Sequence, residues 1–584
     1  MQNNLAPWRI ENFKSIKSAE LNLTPGIITL LTGVNSSGKS SLIQSLLLLA
    51  QSIHSQSELV LNGPLVRLGE SSSLVREGIE AQSVEISLGI EATTVEERQL
   101  GRQLIASFDL APSEDQSVMS VSRLTIAAGA SDSAPLVIGR QNSRKSDVEL
   151  AMSATARIGP RSALHLKSGL DSDRRQLRTY VIMQGLRPTA IVKLMDQSDL
   201  GQQYRNLIRE YLNPDSPESK DMAIRPRISL SGAIREFVSL FKREAPNHDV
   251  EIQQLASEFK VAFYRDARSF ELRWRRLTLD QQNTLIDLAT TARKREAFCI
   301  VPLRFSSWRL STPTGLMEAQ LIERLGSTYE ALNSLSLSLT DIADRVQYLG
   351  PLRDEPRVVW NLWNELAKGL PVGTRGEYSA AVLSRSGDSP VTYTPPGAET
   401  TTKALSFAVD EWLTYLGIGE TVSARSHGKL GVGLELSVNG RLRDLTSVGV
   451  GVSQALPIVV GLLSAPLESI FLIEQPELHL HPAAQGRLAD FILTARPDLT
   501  IVLETHSEAL LTRIRRRAAE GKAALDKIDI VFVEPEVDGS TTRKLALTSF
   551  GDLSEWPAGF LSGSQEDTKA ILLAGIQRSG GKKQ

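Results

Sequence analysis

The chain has 584 residues, 41% hydrophobic and 23% charged, which is enough apolar material for two to four packed lobes and excludes a disordered or fibrous protein. Its formal net charge of −2 excludes a molecule-wide electrostatic grip on nucleic acid and leaves only local basic faces. One cysteine, Cys299, excludes an internal disulfide framework and a thiolate metal cluster; its expected place is a buried core in a reducing cytoplasm.

In chain order, two short strands are expected between Trp8 and Leu31, the second ending in the apolar run Ile27 to Leu31, with a glycine-rich turn directly after it. Leu42, Ile43, Leu46, Leu47, Leu49, Ala50 and Ile53 then recur at helical spacing, so strand, glycine loop and buried helix are contiguous. Between Val84 and Met183, runs such as VEISLGI, LIASFDL, SRLTIAA and ALHLK alternate with polar connections and predict an antiparallel β lobe. From Asp196 to Glu296 the pattern turns helical, in QYRNLIREYL, AIREFVSLFKRE and QNTLIDLATTARKRE, and reads as an insertion. Apolar strands around Ile470, Ile501 and Ile530, separated by helices, predict the return of a parallel sheet covered on both faces, and so an α/β fold. The start MQNNLAPWRIENFKS carries no apolar signal core, and the longest apolar runs, near Leu42 and Leu456, are interrupted by polar residues or proline. A soluble cytoplasmic protein without membrane contact is expected.

Gly33-Val-Asn-Ser-Ser-Gly38-Lys39-Ser40 matches the phosphate-binding pattern G-x-x-x-x-G-K-S, in which backbone N–H groups encircle phosphate in front of a helix N-terminus. Gly33 and Gly38 permit backbone closed to larger residues, and Asn35, Ser36 and Ser37 form the loop between them. Lys39 brings positive charge to the outer phosphates of ATP, Ser40 offers a hydroxyl to Mg2+, and Ser41 helps to hold phosphate. The competing reading is an ordinary Ser/Gly-rich turn. A P-loop also needs an acidic partner at the end of another strand, and Ile470-Phe-Leu-Ile-Glu474 supplies one, which makes Glu474 the candidate metal partner. After Ile501-Val-Leu-Glu504 comes His506, a neutral imidazole able to meet the γ-phosphate or the attacking water. A zinc site built from His479, His481, His506 and nearby glutamates is the rival reading, although no H-E-x-x-H pattern is present.

The segments GVNSSGKSS, IEQPELHLHP and LETHSEALLTRIRRR resemble the ABC-type ATPases related to overcoming-lysogenisation-defect, RecF and structural-maintenance-of-chromosomes proteins. The likeness spans the first ~60 residues and most of the chain after Arg345. It implies an ATPase head with a parallel core; with the antiparallel lobe and helical insertion read above, the chain divides at residues 1–195, 196–300 and 301–584. It also implies a homodimer or higher oligomer joined through the heads. Gly451, Ser453 and Gln454 then stand in the signature motif that one protomer presents to its partner's γ-phosphate, a role suited to a Gly-rich helix start.

Two departures from that family follow. Relatives place Asp-Glu after the apolar strand, the Glu activating water, whereas this chain has Glu474-Gln475. An amide orients water but cannot accept its proton, so either Glu477 takes over or hydrolysis is slow and bound ATP marks a state. Second, EPEVDGSTTRKLAL after Val533 lacks the acidic motifs of a topoisomerase-primase nuclease domain, and the resemblance then implies a separate effector, a nuclease or toxin, in anti-phage defence. A non-hydrolysing ATP-bound scaffold and a RecF-like duplex-binding ATPase are the alternatives. DNA contact would fall to Arg513–Arg517 or to Arg268, Arg273, Arg275 and Arg276 interleaved with Phe270 and Trp274, each of which also reads as a solvated helix face. Arg353 and Arg357 in GPLRDEPR read equally as approaching nucleotide and as structural ion pairs.

Overall fold

The computed structural model describes residues 7–557 apart from 54, 56–58, 79–82, 91–103, 114–117, 129–134, 140–150, 152–161, 167–177, 213–229, 260–266, 296–297, 304–314 and 361–371, and beyond 557 only residues 570–571 and 573–574. Residues 558–560 of the terminal SEWPAGF segment therefore lie outside the described residues. The chain divides into two units, one formed by Met1–Gln51, Leu61–Leu88 and Ile342–Gln584, the other by Ser52–Val60 and Gly89–Asp341.

The first unit begins with β1 (Trp8–Phe13), β2 (Ile16–Leu21), β3 (Ile28–Gly33), α1 (Lys39–Ser52) and β4 (Val84–Ile90). The second unit carries β5 (Leu104–Pro112), β6 (Met119–Ala128), β7 (Leu136–Gly139), β8 (Ser162–Leu166), β9 (Thr179–Gln184), β10 (Arg187–Leu194) and β11 (Phe298–Pro302), each antiparallel to the next. Its helices are α2 (Gln197–Leu212), α3 (Leu230–Glu244), α4 (Val250–Ser257), α5 (Ala267–Trp274), α6 (Leu279–Lys294), α7 (Leu316–Leu325) and α8 (Ser327–Arg345). The predicted β runs become β4, β5, β6 and β8, and the helical stretch becomes α2 to α6, after which β11 pairs with β10.

Returning to the first unit, the chain forms β12 (Val346–Leu349), α9 (Ser379–Ser386), the hairpin β13 (Pro390–Tyr393) and β14 (Thr401–Ala404), and α10 (Leu405–Leu416). A three-stranded sheet of β15 (Val422–Ser426), β16 (Val432–Val438) and β17 (Arg441–Asp444) precedes α11 (Val450–Ser464). Then come β18 (Ile470–Glu474), α12 (Pro482–Thr494), β19 (Thr500–Glu504), α13 (Glu508–Ala519), β20 (Ile528–Glu536) and β21 (Gly539–Leu545). Strands β20, β3, β19, β18 and β12 lie side by side and parallel. All five residues of β18 and of β19 are buried, as a sheet covered on both faces requires. Beyond β20 the sheet continues antiparallel through β21, with β2, β1 and β4 outside it. This is the α/β P-loop head expected from the sequence, with one strand, β19, between the P-loop strand and the strand that ends in Glu474. Trp412 packs edge-on to Phe491 and Tyr415 in the core, tying α10 to α12.

Candidate functional site

The P-loop hangs on the end of β3. A Cβ added to Gly33, at φ +142°, would lie 2.4 Å from the Val533 carbonyl oxygen; one added to Gly38, at φ +101°, would meet Ser15 Oγ at 2.9 Å. Both places admit only glycine, which lets the loop backbone fold back against the sheet. Asn35 and Ser36 are exposed, Ser36 with φ +60°, whereas Ser37 is buried with a hydroxyl that finds no hydrogen-bond partner. Lys39 is buried and its Nζ donates to the carbonyls of Val34 at 2.7 Å and Gly33 at 3.2 Å, so the ammonium curls over its own loop. Burial lowers its pKa, and the Glu504 carboxylate partly offsets this. Ser41 donates its N–H to the Gly38 carbonyl at 3.0 Å in the first turn of α1.

The Ser40 hydroxyl donates to Glu504 Oε2 at 2.7 Å, and Glu504, the last residue of β19, stands in register with Glu474, the last of β18. Two carboxylates therefore face the P-loop serine from adjacent strand ends. Glu504 is a candidate that the motifs do not name; its signal is the one that marks Glu474, a carboxylate closing an apolar strand. Burial pushes the Glu474 carboxyl up to about 7, the Glu504 charge adds to this, and hydrogen bonds from Tyr348 and Ser40 act the other way. Tyr348, from β12, donates its phenol to Glu474 Oε1 at 2.7 Å.

Past Glu474 the chain turns sharply. Gln475 adopts φ +45° and donates its N–H to the Glu504 carbonyl at 2.8 Å. Glu477 is buried; its Oε1 accepts the His506 N–H at 2.7 Å and its Oε2 has no partner. Burial raises its carboxyl, against the hydrogen bond from the His506 N–H. Gln485 donates to the Leu480 carbonyl at 2.9 Å and accepts the Ser507 hydroxyl at 2.7 Å, bracing the same turn from α12. Gln475, Glu477, Gln485, His506 and Ser507 line one open pocket of about 670 Å³. Burial lowers the pKa of His506 and the Lys39 charge lowers it further, which favours a neutral imidazole. Arg353, in the loop after β12, is 5% exposed and donates from Nη2 to the Glu474 carbonyl at 3.2 Å; burial lowers its pKa to about 10.

The segment read from the sequence as a signature lies at the start of α11. Gly449 is its N-cap, Val450 is exposed, and Gly451 touches the His479 carbonyl, since an added Cβ would sit 2.9 Å from that oxygen. Ser453 is 4% exposed and its hydroxyl donates to the Val450 carbonyl of its own helix at 2.8 Å; Gln454 is half-buried one residue on.

The basic run of α13 has partners within the fold. Arg513 and Arg517 both bind Asp490, Arg516 binds Glu520, and Arg515 donates to the Gly551 carbonyl while lying over the Trp556 ring. Phe270 and Trp274 stack at 5.7 Å inside an aromatic core with Phe237, so they are not a surface platform for bases. His481 Nδ1 accepts the Ala483 N–H and caps α12, and among the described residues no group of three or more His, Cys, Asp or Glu side chains is gathered as a metal site. Cys299 is buried, as expected.

The residues present fit ATP with Mg2+. The glycine cradle, the unpartnered Ser37 hydroxyl and the hard-oxygen set of Ser40, Glu474 and Glu504 are the donors such a ligand uses.

A family model described as "AAA domain, putative AbiEii toxin, Type IV TA system" matches residues 221–512, half of the chain, and a second described as "AAA ATPase domain" matches residues 7–114. Among solved structures, the Smc head domain with an extended coiled coil from Pyrococcus furiosus, bound to the C-terminal domain of ScpA, matches at 12% identity and TM-score 0.35 over 93% of this chain and 96% of that one. The SMC head domain from Thermotoga maritima matches at 8% identity and TM-score 0.31 over 93% and 98%. No curated protein matches the chain.

Proposed function

We propose, from the premise that this chain belongs to the AAA-domain family of AbiEii type, that it is an ATP-binding and slowly ATP-hydrolysing switch. Its heads pair on ATP and Mg2+ in the ABC manner and pass that state to a separate effector, a nuclease or toxin, in the bacterial cytoplasm. The observation that carries the reading is the convergence of the Gly33–Ser41 loop with Ser40, Glu474 and Glu504 at the ends of three adjacent parallel strands. The loop N–H groups and Lys39 hold the phosphates, Lys39 leaving its own carbonyls for them. Mg2+, held by Ser40 and the two carboxylates, neutralises charge on the outer phosphates when bound.

His506 offers its imidazole to the γ-phosphate side of the pocket, and Glu477 is the carboxylate placed to take a proton from water. The water oxygen bonds to the γ-phosphorus, the bond to the ADP oxygen breaks with its electron pair staying on ADP, and Glu477 holds the released proton. Gln475 favours a second version in which turnover is slow enough for ATP to mark a state, because the amide cannot replace a general base. The family's toxin–antitoxin description supports the defence setting. A duplex-binding role has less support, since the Arg513–Arg517 run is held by Asp490, Glu520 and the Gly551 carbonyl.

The test is Lys39→Ala. Wild type is expected to bind ATP with Mg2+ by fluorescence titration and to dimerise by light scattering, whereas the variant binds about tenfold more weakly or worse, a loss of about 1.4 kcal/mol or more. Equal affinity and equal dimerisation in the two chains overturn the assignment.

A further inference from the structure

Arg353 is a buried cation for which the hydrolytic scheme above has no use. It is 5% exposed, and one of its nitrogens, Nη2, donates to the Glu474 carbonyl at 3.2 Å. Its Nε and Nη1 are buried and make no hydrogen bond. The same is true of Glu477 Oε2, three residues along the turn that Arg353 braces. The charged and titratable groups that act on this guanidinium are Tyr348, Glu474 and Glu477. Tyr348 is already committed to Glu474 Oε1. Glu477 Oε1 is committed to the His506 N–H, so its Oε2 is the carboxylate oxygen left for a donor. A planar guanidinium with two free N–H faces and a carboxylate with one free oxygen, both out of water, are complementary halves of a charge-assisted pair.

We propose that Arg353 is the positioning residue of the hydrolytic site: anchored on the Glu474 carbonyl, it takes the free oxygen of Glu477 as the site closes on ATP and so aims that carboxylate at the attacking water. The inference rests on the reading of Glu477 as the base. Arg353 touches neither nucleotide nor water in this scheme. The proton leaves water for Glu477 as the water oxygen bonds to the γ-phosphorus and ADP departs with the electron pair of the broken bond.

The test is a double-mutant cycle on the full chain, with ATP and Mg2+ under single-turnover conditions, fluorescence binding of ATP and a thermal melt of each variant. Arg353→Met is expected to bind ATP within about threefold of wild type yet to hydrolyse it about tenfold more slowly or worse. Arg353→Lys, which keeps the buried charge, is expected to recover part of the rate. The double variant Arg353→Met with Glu477→Gln should be no slower than Glu477→Gln alone, because the second loss is contained in the first. Rate losses that add in the double variant overturn the pairing, as does a wild-type rate in Arg353→Met. Loss of ATP binding and of the cooperative melt in both Arg353→Met and Arg353→Lys makes the residue a structural brace and overturns it too. A wild-type rate in Glu477→Gln sinks the base assignment itself, and this inference with it.

Discussion

Gln475 and Glu477 occupy one turn and line one pocket, but only Glu477 can accept a proton. Its setting suits a general base. Burial raises its carboxyl, which brings it nearer to the working pH; the His506 N–H holds one oxygen, and the other, unpartnered in this structure, has lone pairs for both a guanidinium N–H and water. Glu477→Gln is therefore expected to cut residual hydrolysis by about a hundredfold or more with ATP binding preserved, and Gln475→Glu to change the rate little, both read by single-turnover kinetics. Marked acceleration in Gln475→Glu, with a shorter-lived ATP-bound dimer, would show that the amide sets the rate and that ATP marks a state. Gln475, Glu477 and His506 were all visible as motif letters. Glu504 stands among the same letters, but its hydrogen bond from the P-loop serine was not legible, because the sequence does not say that β19 is inserted between β3 and β18 and so carries its last residue to Ser40. Tyr348 escapes because β12 reaches Glu474 from the far edge of the parallel sheet, and Arg353, which the sequence did single out, could not be assigned its partner, the Glu474 carbonyl, for the same reason.

Helices α12 and α13 show how an element's meaning is decided by its neighbour. Read alone, Arg513 to Arg517 is a basic run at the end of a helix, equally ready for phosphate, solvent or the helix dipole. Packed against α12, its arginines at positions 513 and 517 close on the buried Asp490, which Tyr415 also meets with its phenol. Although burial pushes the Asp490 carboxyl up, the hydrogen bonds from Arg517 and Arg513 outweigh it and hold the group well below the usual carboxylate range. Because the folded pKa is depressed, this contribution to stability is complete above the unfolded value near 4 and fades as pH falls below it. Asp490→Asn leaves two half-buried guanidinium groups without their anion, and is expected to cost about 2–4 kcal/mol in urea unfolding at neutral pH. The same variant should differ less from wild type at pH near 3. An unchanged unfolding midpoint at neutral pH would mean that the clamp contributes nothing net. The strands that frame the site were legible because short apolar runs, Ile470 to Ile473 and Ile501 to Leu503, bounded by helices read as buried parallel strands. The role of the arginines was not, because a partner twenty-three residues away leaves no periodic trace.

At the scale of the whole molecule, the unit that holds the site is assembled from three stretches of chain, Met1–Gln51, Leu61–Leu88 and Ile342–Gln584, so the P-loop and the start of α11 belong to one unit although they lie far apart in sequence. The proposal that a partner completes the site is open to a mixing experiment. Ser453 is an unsuitable position to block, since it is 4% exposed and an added side chain would disturb α11 before it met any partner. Gly449 is suitable. It caps α11, it has φ −61°, and a Cβ there would meet nothing within 4 Å. An aspartate is a favoured N-cap, so Gly449→Asp should leave the fold intact while placing a carboxylate where a γ-phosphate would dock. In the proposed two-fold dimer each site would take its P-loop from one protomer and its signature from the other. Homodimers of Lys39→Ala have no working P-loop, and homodimers of Gly449→Asp have no working signature. A heterodimer of the two gathers both lesions into one site and leaves the second intact. Neither variant alone should hydrolyse ATP, and an equimolar mixture that re-equilibrates should recover up to about a quarter of wild-type turnover, the value reached when every chain is paired and half the dimers carry one of two sites. If the signature served its own P-loop, every site in the mixture would carry one lesion and the activity would stay at the level of the separate variants.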